Sequence, residues 1–179
     1  MKHQPYLHLI IVILSLGGLI SGIFAWIFLP DILIVELRSY AAEQIQSIAS
    51  SLELPQCIKT IFSANALDLL HIYLYGMCLI GLPMLFFFLF IKCFSIGFSC
   101  CILLRQSIIL CFTRILYVPV LCAAVVFGCR FTLQMIQKQI DSPIRQFMQY
   151  TFLFAGLLLC VLLVSSLDGL SSYYYATRQ

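Results

Sequence analysis

Charged side chains are scarce in this sequence. Only 9% of its 179 residues are Asp, Glu, Lys or Arg, whereas 63% are hydrophobic. A soluble domain carries roughly 25% charged residues, so these few cannot cover a water-facing surface. The scarcity excludes an ordinary soluble domain. The scattered basic residues form no cluster of the kind that binds nucleic acid, so we expect no nucleic-acid partner.

The motifs of common catalytic and metal sites are also missing. The sequence has no HExxH, P-loop or dinucleotide fingerprint, and its nine cysteines include no CxxC pair. Residues 97–100 form a bare GxSx, but a serine nucleophile needs a base within hydrogen-bond reach, and His71 has no supporting motif. We therefore predict a non-enzymatic protein with no catalytic residues, no cofactor and no metal site.

Long apolar runs are what the sequence has instead. Several approach the ~20 residues that span a bilayer as a helix, and they are continuous rather than alternating as in a membrane barrel. We predict an all-α polytopic membrane protein, organised as a single integral membrane domain of about five transmembrane helices in the cell membrane, surrounded by lipid. The transmembrane helices are predicted at about 7–29, 67–91, 93–110, 107–131 and 147–167.

The segment 32–52 follows a different pattern. Apolar residues recur there at steps of three and four positions, while Glu36, Arg38 and Glu43 occupy the remaining faces. This periodicity predicts an amphipathic helix that is too polar to span the membrane. We expect it to lie on the outer membrane surface or over the helical bundle.

Lys92 is interpreted as a tight turn between the second and third apolar runs. The third run soon meets Arg105, so two arrangements stay open: a full span over 93–110, or a short re-entrant piece ending at Arg105. The re-entrant arrangement would place the basic connector 130–145 outside, against the positive-inside rule. Five crossings are therefore favoured, with the N-terminus cytoplasmic and both the amphipathic helix and the C-terminus outside.

Small residues and proline mark candidate helix-packing positions. Gly18 and Gly22 form a GxxxG pair, which lets another helix approach closely. The partner helix could belong to the same chain or to a second copy, which leaves a homodimer open. Pro83 is expected to kink the second helix. The full set of candidate packing positions is Gly18, Gly22, Gly76, Gly81, Pro83 and Gly97.

Three charged residues fall within or beside apolar runs: Asp68, Arg105 and Arg114. Charges at membrane depth are costly and often functional. We expect Asp68 to pair with Arg105 or Arg114. Three interpretations stay open, namely an ion pair that fixes the bundle, a polar site that receives a partner's helix, and a transport pathway.

One stretch resembles a known family. Gly81-Leu82-Pro83 precedes a bulky apolar run that ends at Lys92, and a Gly-Phe pair follows within 95–98. This pattern, with Pro119 further on, resembles the core of the stage II sporulation protein M family. Cys93 stands where the family usually has glycine, so the likeness is not complete.

The resemblance implies a role in endospore formation. Family members act at the sporulation septum and the engulfing membrane as a platform for peptidoglycan remodelling. They recruit or position stage II sporulation proteins D and P, which cut peptidoglycan. The resemblance therefore implies a non-enzymatic scaffold of the engulfment machinery. A permease-like transporter subunit is the alternative.

Overall fold

Helices account for all the regular structure in the parts of the chain that the computed structural model describes, which are residues 5–51, 54–78, 80–104, 108–136 and 143–176. In chain order the helices are α1 (Pro5–Ile27), α2 (Asp31–Ser51), α3 (Leu54–Met77), α4 (Gly81–Leu103), α5 (Ile108–Ile115), α6 (Tyr117–Ile136) and α7 (Pro143–Ala176).

Four helical stretches within these ranges are long and apolar enough to cross a membrane. They are Tyr6–Ile27, Gly81–Leu103, Ile108–Ile136, which joins α5 and α6, and Ile144–Tyr174. The prediction of an all-α polytopic membrane protein is confirmed. The remaining long helices, α2 and α3, are less apolar than these.

The direction of the chain shows how α3 fits among them. Gly18 of α1 lies against Phe90 of α4, and Gly22 lies against Phe98, so the two helices run parallel. The chain between two parallel spans must return along the bundle. The helix α3 makes this return beside α4 and α7, and it is therefore the fifth member of the bundle.

The two ends of the bundle are named here after one residue each. At the Arg130 end, which holds Gly81 and the starts of α1 and α7, the Arg130 guanidinium lies 2.8 Å from Nε2 of His8. The Asp168 end is the opposite one, where α1 ends and α5 begins. The helix α2 lies at the Asp168 end, because the Arg38 guanidinium sits 5.4 Å from the centre of the Trp26 ring at the end of α1.

The turn predicted at Lys92 lies elsewhere. Lys92 is the middle residue of the 23-residue α4. The chain reverses between Met77 and Gly81, where the Gly81 N–H donates to the Cys78 carbonyl at 2.9 Å. The predicted spans 67–91 and 93–110 are therefore wrong in their boundaries. The first combines the end of α3 with the start of α4, and residues 93–103 form the second half of α4 rather than a re-entrant piece.

Both prolines in the central runs lie near helix starts. Pro83 is the third residue of α4, and Pro119 is the third residue of α6. The first N–H groups of a helix have no intrahelical partner, so a proline there removes no hydrogen bond. The predicted kink at Pro83 is therefore wrong, because Pro83 helps to start a helix rather than bending one. Pro119 accounts for the break between α5 and α6 at Leu116.

The core of the bundle follows helical periodicity. In α1 the buried side chains Leu7, Ile11 and Ser15 share one stripe, as expected for residues three or four apart on one helical face. They face a core built mainly from α3, α4 and α6, whose fully buried members include Ile72 and Leu89. The opposite side of α1 is exposed and apolar, which suits contact with lipid.

Candidate functional site

An ion pair lies in the middle of the bundle. Lys92 Nζ is 2.7 Å from Asp68 Oδ1, and the two side chains are 35% and 15% exposed. The Lys92 ammonium also lies 5.6 Å from the centre of the Phe88 ring, one turn away on the same helix. Because Lys92 is the midpoint of a candidate membrane span, this pair is placed at the depth where unpaired charge is most costly.

A second polar contact lies next to this pair, toward the Asp168 end. Asn65 Nδ2 donates to Ser165 Oγ at 2.9 Å, and the Tyr117 hydroxyl donates to the Asn65 carbonyl at 3.0 Å. Asn65 precedes Asp68 by one turn of α3, which corresponds to about 4.5 Å along the axis. This contact joins α3 to α6 and α7.

A second ion pair follows one turn further along. Arg114 Nε lies 3.1 Å from Asp168 Oδ2, and the side chains are 45% and 4% exposed. Thr113 Oγ1 donates to the other Asp168 oxygen at 2.9 Å. The almost fully buried carboxylate is thus held by two groups of α5. The Arg114 side chain remains half-exposed.

These three sets of contacts lie about one helical turn apart along the bundle, and together we call them the polar ladder. Its members are Lys92, Asp68, Asn65, Tyr117, Ser165, Asp168, Thr113 and Arg114. It rises about 9 Å along the bundle axis, at ~1.5 Å per helical residue, from mid-span toward the Asp168 end. It links five helices by polar contacts in a region where apolar packing has little directional preference.

The predicted pairing of charges is corrected by this geometry. Asp68 pairs with Lys92 instead of Arg114, and Arg114 pairs with Asp168. The physical reason is depth: Arg114 lies about two turns nearer the Asp168 end than Asp68 does, so their side chains do not meet. The other predicted partner, Arg105, lies outside the described residues.

The predicted GxxxG pair packs within the chain. A Cβ on Gly18 would lie 2.8 Å from the Phe90 carbonyl oxygen, and one on Gly22 would lie 2.8 Å from the Phe98 nitrogen. Gly97 lies in return against the backbone of Leu19. The helix that packs on Gly18 and Gly22 is therefore α4 of the same chain, not a helix of a second copy. A homodimer remains a prediction but would need another surface.

Two further predicted glycines also lie at close approaches. Gly76 has its Cα beside Gly128 of α6 and faces the Tyr150 hydroxyl of α7, so three helices meet there. Its carbonyl accepts the Thr132 hydroxyl at 2.7 Å. Gly81 lies against the Tyr75 carbonyl in the reversal between α3 and α4. Neither position has room for a larger side chain.

The chemistry available to the polar ladder is that of fixed ion pairs and hydrogen bonds. Each of its carboxylates already lies against a cation. Among the residues that the structure describes, no group of three or more His, Cys, Asp or Glu side chains could hold a metal ion. That the chain is not an enzyme and needs no cofactor stays a prediction.

Sequence reasoning missed two members of these pairs. The predicted turn at Lys92 and the predicted end of the last span at 167 leave both residues outside the predicted membrane helices. The sequence holds a signal for each residue. Asp168 follows Ser165 by one helical turn, which places both on one face of a continued helix, and Lys92 interrupts an apolar run that continues on both sides. A charge with apolar residues on both sides indicates a buried partner as readily as a loop.

Comparison with known proteins agrees with this architecture. No curated protein and no solved structure shows a significant match to the chain. The family model described as stage II sporulation protein M matches residues 10–167, which include α2 to α6 and most of α1 and α7. The chain belongs to the stage II sporulation protein M family.

Proposed function

We propose that this sporulation-related membrane protein is a non-enzymatic scaffold of the engulfment machinery. In this role it recruits or positions peptidoglycan hydrolases, stage II sporulation proteins D and P, at the septal and engulfing membrane. Family membership supports the setting. The observation that carries the scaffold role is α2, which offers a helical surface at the Asp168 end, outside the spanning bundle.

The position of α2 suits it to this task. Arg38 stacks on Trp26. The Trp26 ring also packs edge-on against the Phe98 ring of α4, with 5.7 Å between the ring centres. These contacts attach α2 to the end of the α1–α4 pair. On its outer side Glu36, Tyr40 and Glu43 are exposed. A partner outside the membrane would thus find a charged and aromatic surface held in a fixed place.

The orientation is part of the proposal. Lys92 no longer counts toward the positive-inside rule, because it lies mid-span. Arg130 and Arg145 remain at the Arg130 end, and the acidic residues of α2 lie at the other. The Asp168 end also carries Arg38, Lys59 and Arg114, so a count of Lys and Arg does not separate the two ends. We place the Arg130 end and the N-terminus in the cytoplasm, as the sequence predicts. The α2 surface would then face the compartment where peptidoglycan is cut.

A labelling experiment tests this orientation. A membrane-impermeant maleimide is applied to intact cells and then to opened cells, and labelled peptides are identified by mass spectrometry. We expect Tyr40→Cys in α2 to react in intact cells, and the exposed Cys78 at the Arg130 end to react only after opening. The reverse order would overturn the proposed orientation.

A co-purification experiment tests the scaffold role. In the double variant Glu36→Lys/Glu43→Lys, α2 changes its surface charge without changing its packed face. We expect hydrolase recovery with the tagged chain to fall severalfold. Gln149→Lys adds a charge at the exposed Arg130 end and serves as the control. Equal recovery with the double variant and the control, or no recovery with the unaltered chain, would contradict the proposal.

The polar ladder favours a second candidate, a permease-like transporter subunit, because charges at mid-span also occur in transport pathways. In that role Asp68 and Lys92 would have to exchange partners during transport. Solute or proton flux through purified protein in liposomes tests this candidate. Flux that is abolished by Asp68→Asn would support transport over the scaffold.

A further inference from the structure

An open groove follows the start of α7 at the Arg130 end of the bundle. Its volume is about 850 Å³, and its described lining runs from Ile144 to Leu153, which is about three turns of one helix. This face is turned away from the core, which α7 meets through Tyr150 and Phe154. The α7 groove is therefore open to whatever surrounds the bundle at this depth.

The α7 groove changes in character along its length. Arg145 lies in the first turn of α7 and is exposed. Met148 and Phe152, one and two turns further on, are apolar and are 65% and 80% exposed. Arg145 and Phe152 are separated by about 10 Å along the helix axis. A ligand that fills the groove thus meets a cation at one end and apolar side chains at the other.

The charge of Arg145 is not used within the described parts of the chain. The ion pairs there join Lys92 to Asp68 and Arg114 to Asp168. The first turn of α7 holds no acidic residue, and the described lining of the groove includes none. A guanidinium keeps its charge and offers five N–H donors. Arg145 therefore has charge and donors available for an anionic ligand.

The depth of Arg145 indicates where that ligand comes from. Arg145 precedes Ser165 by 20 residues, or about 30 Å along α7. Ser165 contacts Asn65, one turn beyond the mid-span pair, so Arg145 lies about 25 Å from mid-span along the helix. The hydrocarbon layer ends at about 15 Å and the headgroup layer at about 20–22 Å. Helix tilt shortens the 25 Å slightly, which places Arg145 beside the headgroups.

The apolar end of the groove lies deeper. Phe152 precedes Ser165 by 13 residues, so it lies about 15 Å from mid-span. At this depth the acyl chains begin. The order of the two ends, with the cation outside and the apolar side chains inside, is the order of a phospholipid molecule.

We propose that the α7 groove binds an anionic phospholipid from the leaflet at the Arg130 end. The lipid phosphate binds the Arg145 guanidinium, whose planar fork suits phosphate oxygens, and an acyl chain lies along Met148 and Phe152. A net negative headgroup is favoured over a zwitterionic one, because the described lining has no carboxylate to receive an ammonium group. This site goes beyond the proposed scaffold function and does not depend on it.

Two other occupants fit the α7 groove less well. A second copy joined through the same face would bring two Arg145 side chains together, and like charges repel. A soluble anion would bind Arg145 but leave Met148 and Phe152 uncovered. A phospholipid satisfies both ends of the groove.

Quenching by brominated lipids tests the proposal with the full chain in vesicles. Trp26 is the single tryptophan of the sequence, so Trp26→Phe/Phe152→Trp places the only fluorescent indole in the groove. The vesicles hold equal parts of phosphatidylglycerol and phosphatidylcholine, and the acyl chains of one or the other are brominated. We expect phosphatidylglycerol to occupy the groove about five times as readily as phosphatidylcholine, the factor that one basic residue contributes near an anionic surface.

The matched control is Trp26→Phe/Met84→Trp. Met84 is 52% exposed on α4 and lies about 12 Å from Lys92 along the helix, on the side of the Arg130 end and at nearly the depth of Phe152. We expect the two brominated lipids to quench this variant equally.

Two substitutions connect the preference to Arg145. Added to the groove reporter, Arg145→Gln should lower the preference for phosphatidylglycerol to the control level, whereas Arg145→Lys keeps a cation and should retain most of it. Arg145 is exposed, so neither change disturbs the core. The elution volume in size-exclusion chromatography checks that each variant is folded.

Three outcomes would overturn the proposal. Equal quenching of the groove reporter by the two lipids would show no headgroup selection, and a preference that survives Arg145→Gln would exclude Arg145 as the recognition group. A preference that disappears in phosphate buffer but persists in chloride of the same ionic strength would assign the groove to a soluble anion. Each outcome leaves the scaffold proposal standing, because that proposal is tested separately by hydrolase recovery.

Discussion

Replacing Gly22 by alanine tests the close contact between α1 and α4. The added Cβ would meet the Phe94 carbonyl oxygen and would lie 2.8 Å from the Phe98 nitrogen, whereas ordinary contact begins at 3.4 Å. Both neighbours are backbone atoms of a helix and cannot rotate aside as a side chain could. The helix α1 must therefore move away from α4 by more than 0.6 Å, which is the difference between 3.4 Å and 2.8 Å, because the Phe94 oxygen would lie closer than the Phe98 nitrogen.

A shift of this size has a measurable cost. A gap of about 0.5–1 Å loses roughly a quarter to a half of the dispersion attraction at each contact it opens. Overpacking of a close-packed interior typically costs about 1–3 kcal/mol. Alanine is favoured over glycine in a helix by up to about 1 kcal/mol, which offsets part of that. We expect Gly22→Ala to lower the free energy of unfolding by about 1–2 kcal/mol.

Gly17→Ala is the matched control. A Cβ on Gly17 meets nothing within 4 Å, so the same substitution in the same helix should gain helix propensity alone, up to about 1 kcal/mol. The free energy of unfolding is measured for both variants in mixed micelles, with SDS as denaturant. Equal stability of the two variants would refute the packing argument. A changed oligomeric state with unchanged stability in Gly22→Ala would show that the stripe packs between copies.

Variants at three polar contacts are tested by the same unfolding measurement. Asp68→Asn should lower the free energy of unfolding by about 3–5 kcal/mol because it leaves Lys92 unpaired. The double variant Asp68→Asn/Lys92→Gln should recover much of that loss. Additive losses would show that the two residues do not interact. Asp168→Asn should lower the free energy of unfolding by less, about 1–3 kcal/mol, because the half-exposed Arg114 can turn to solvent. Unchanged stability of this variant would argue against the Arg114–Asp168 ion pair. Thr132→Val should lower the free energy of unfolding by about 1 kcal/mol because it removes the hydroxyl that donates to α3, and Thr132→Ser should lower it by less. Equal destabilisation by the two variants would indicate that Thr132 acts through packing rather than hydrogen bonding.

Much of the architecture was predictable because the membrane restricts the options. A continuous apolar run can satisfy its backbone in lipid only as a helix or within a closed barrel, and the runs near 7–29 and 147–167 correspond to α1 and α7. The end of α1 was also readable, since the residue before a proline is disfavoured in the helical conformation, and Pro30 follows the last turn. The periodicity after it marked α2.

The position of the central reversal was not predictable by the same rules. A lone lysine in an apolar run is most easily understood as a loop residue, and Pro83 as a kink. Both readings treat each helix in isolation. In the bundle, Asp68 of the preceding helix neutralises Lys92, and Pro83 costs nothing because it lies in the first turn of α4. Tertiary contacts therefore decide where the chain turns, and these contacts cannot be predicted from a single sequence.

The length of α7 explains why the second ion pair was missed and why it matters. Its 34 residues correspond to about 50 Å at ~1.5 Å per residue, against a hydrocarbon layer of ~30 Å. Hydropathy falls after the apolar run, so a prediction based on it ends the helix before Asp168. The helix continues because Gly169 packs on Ile58 of α3 and Asp168 holds α5. The Asp168 end is thus a helical structure braced by buried polar contacts, and a surface braced in this way can hold a partner at a constant position relative to the membrane.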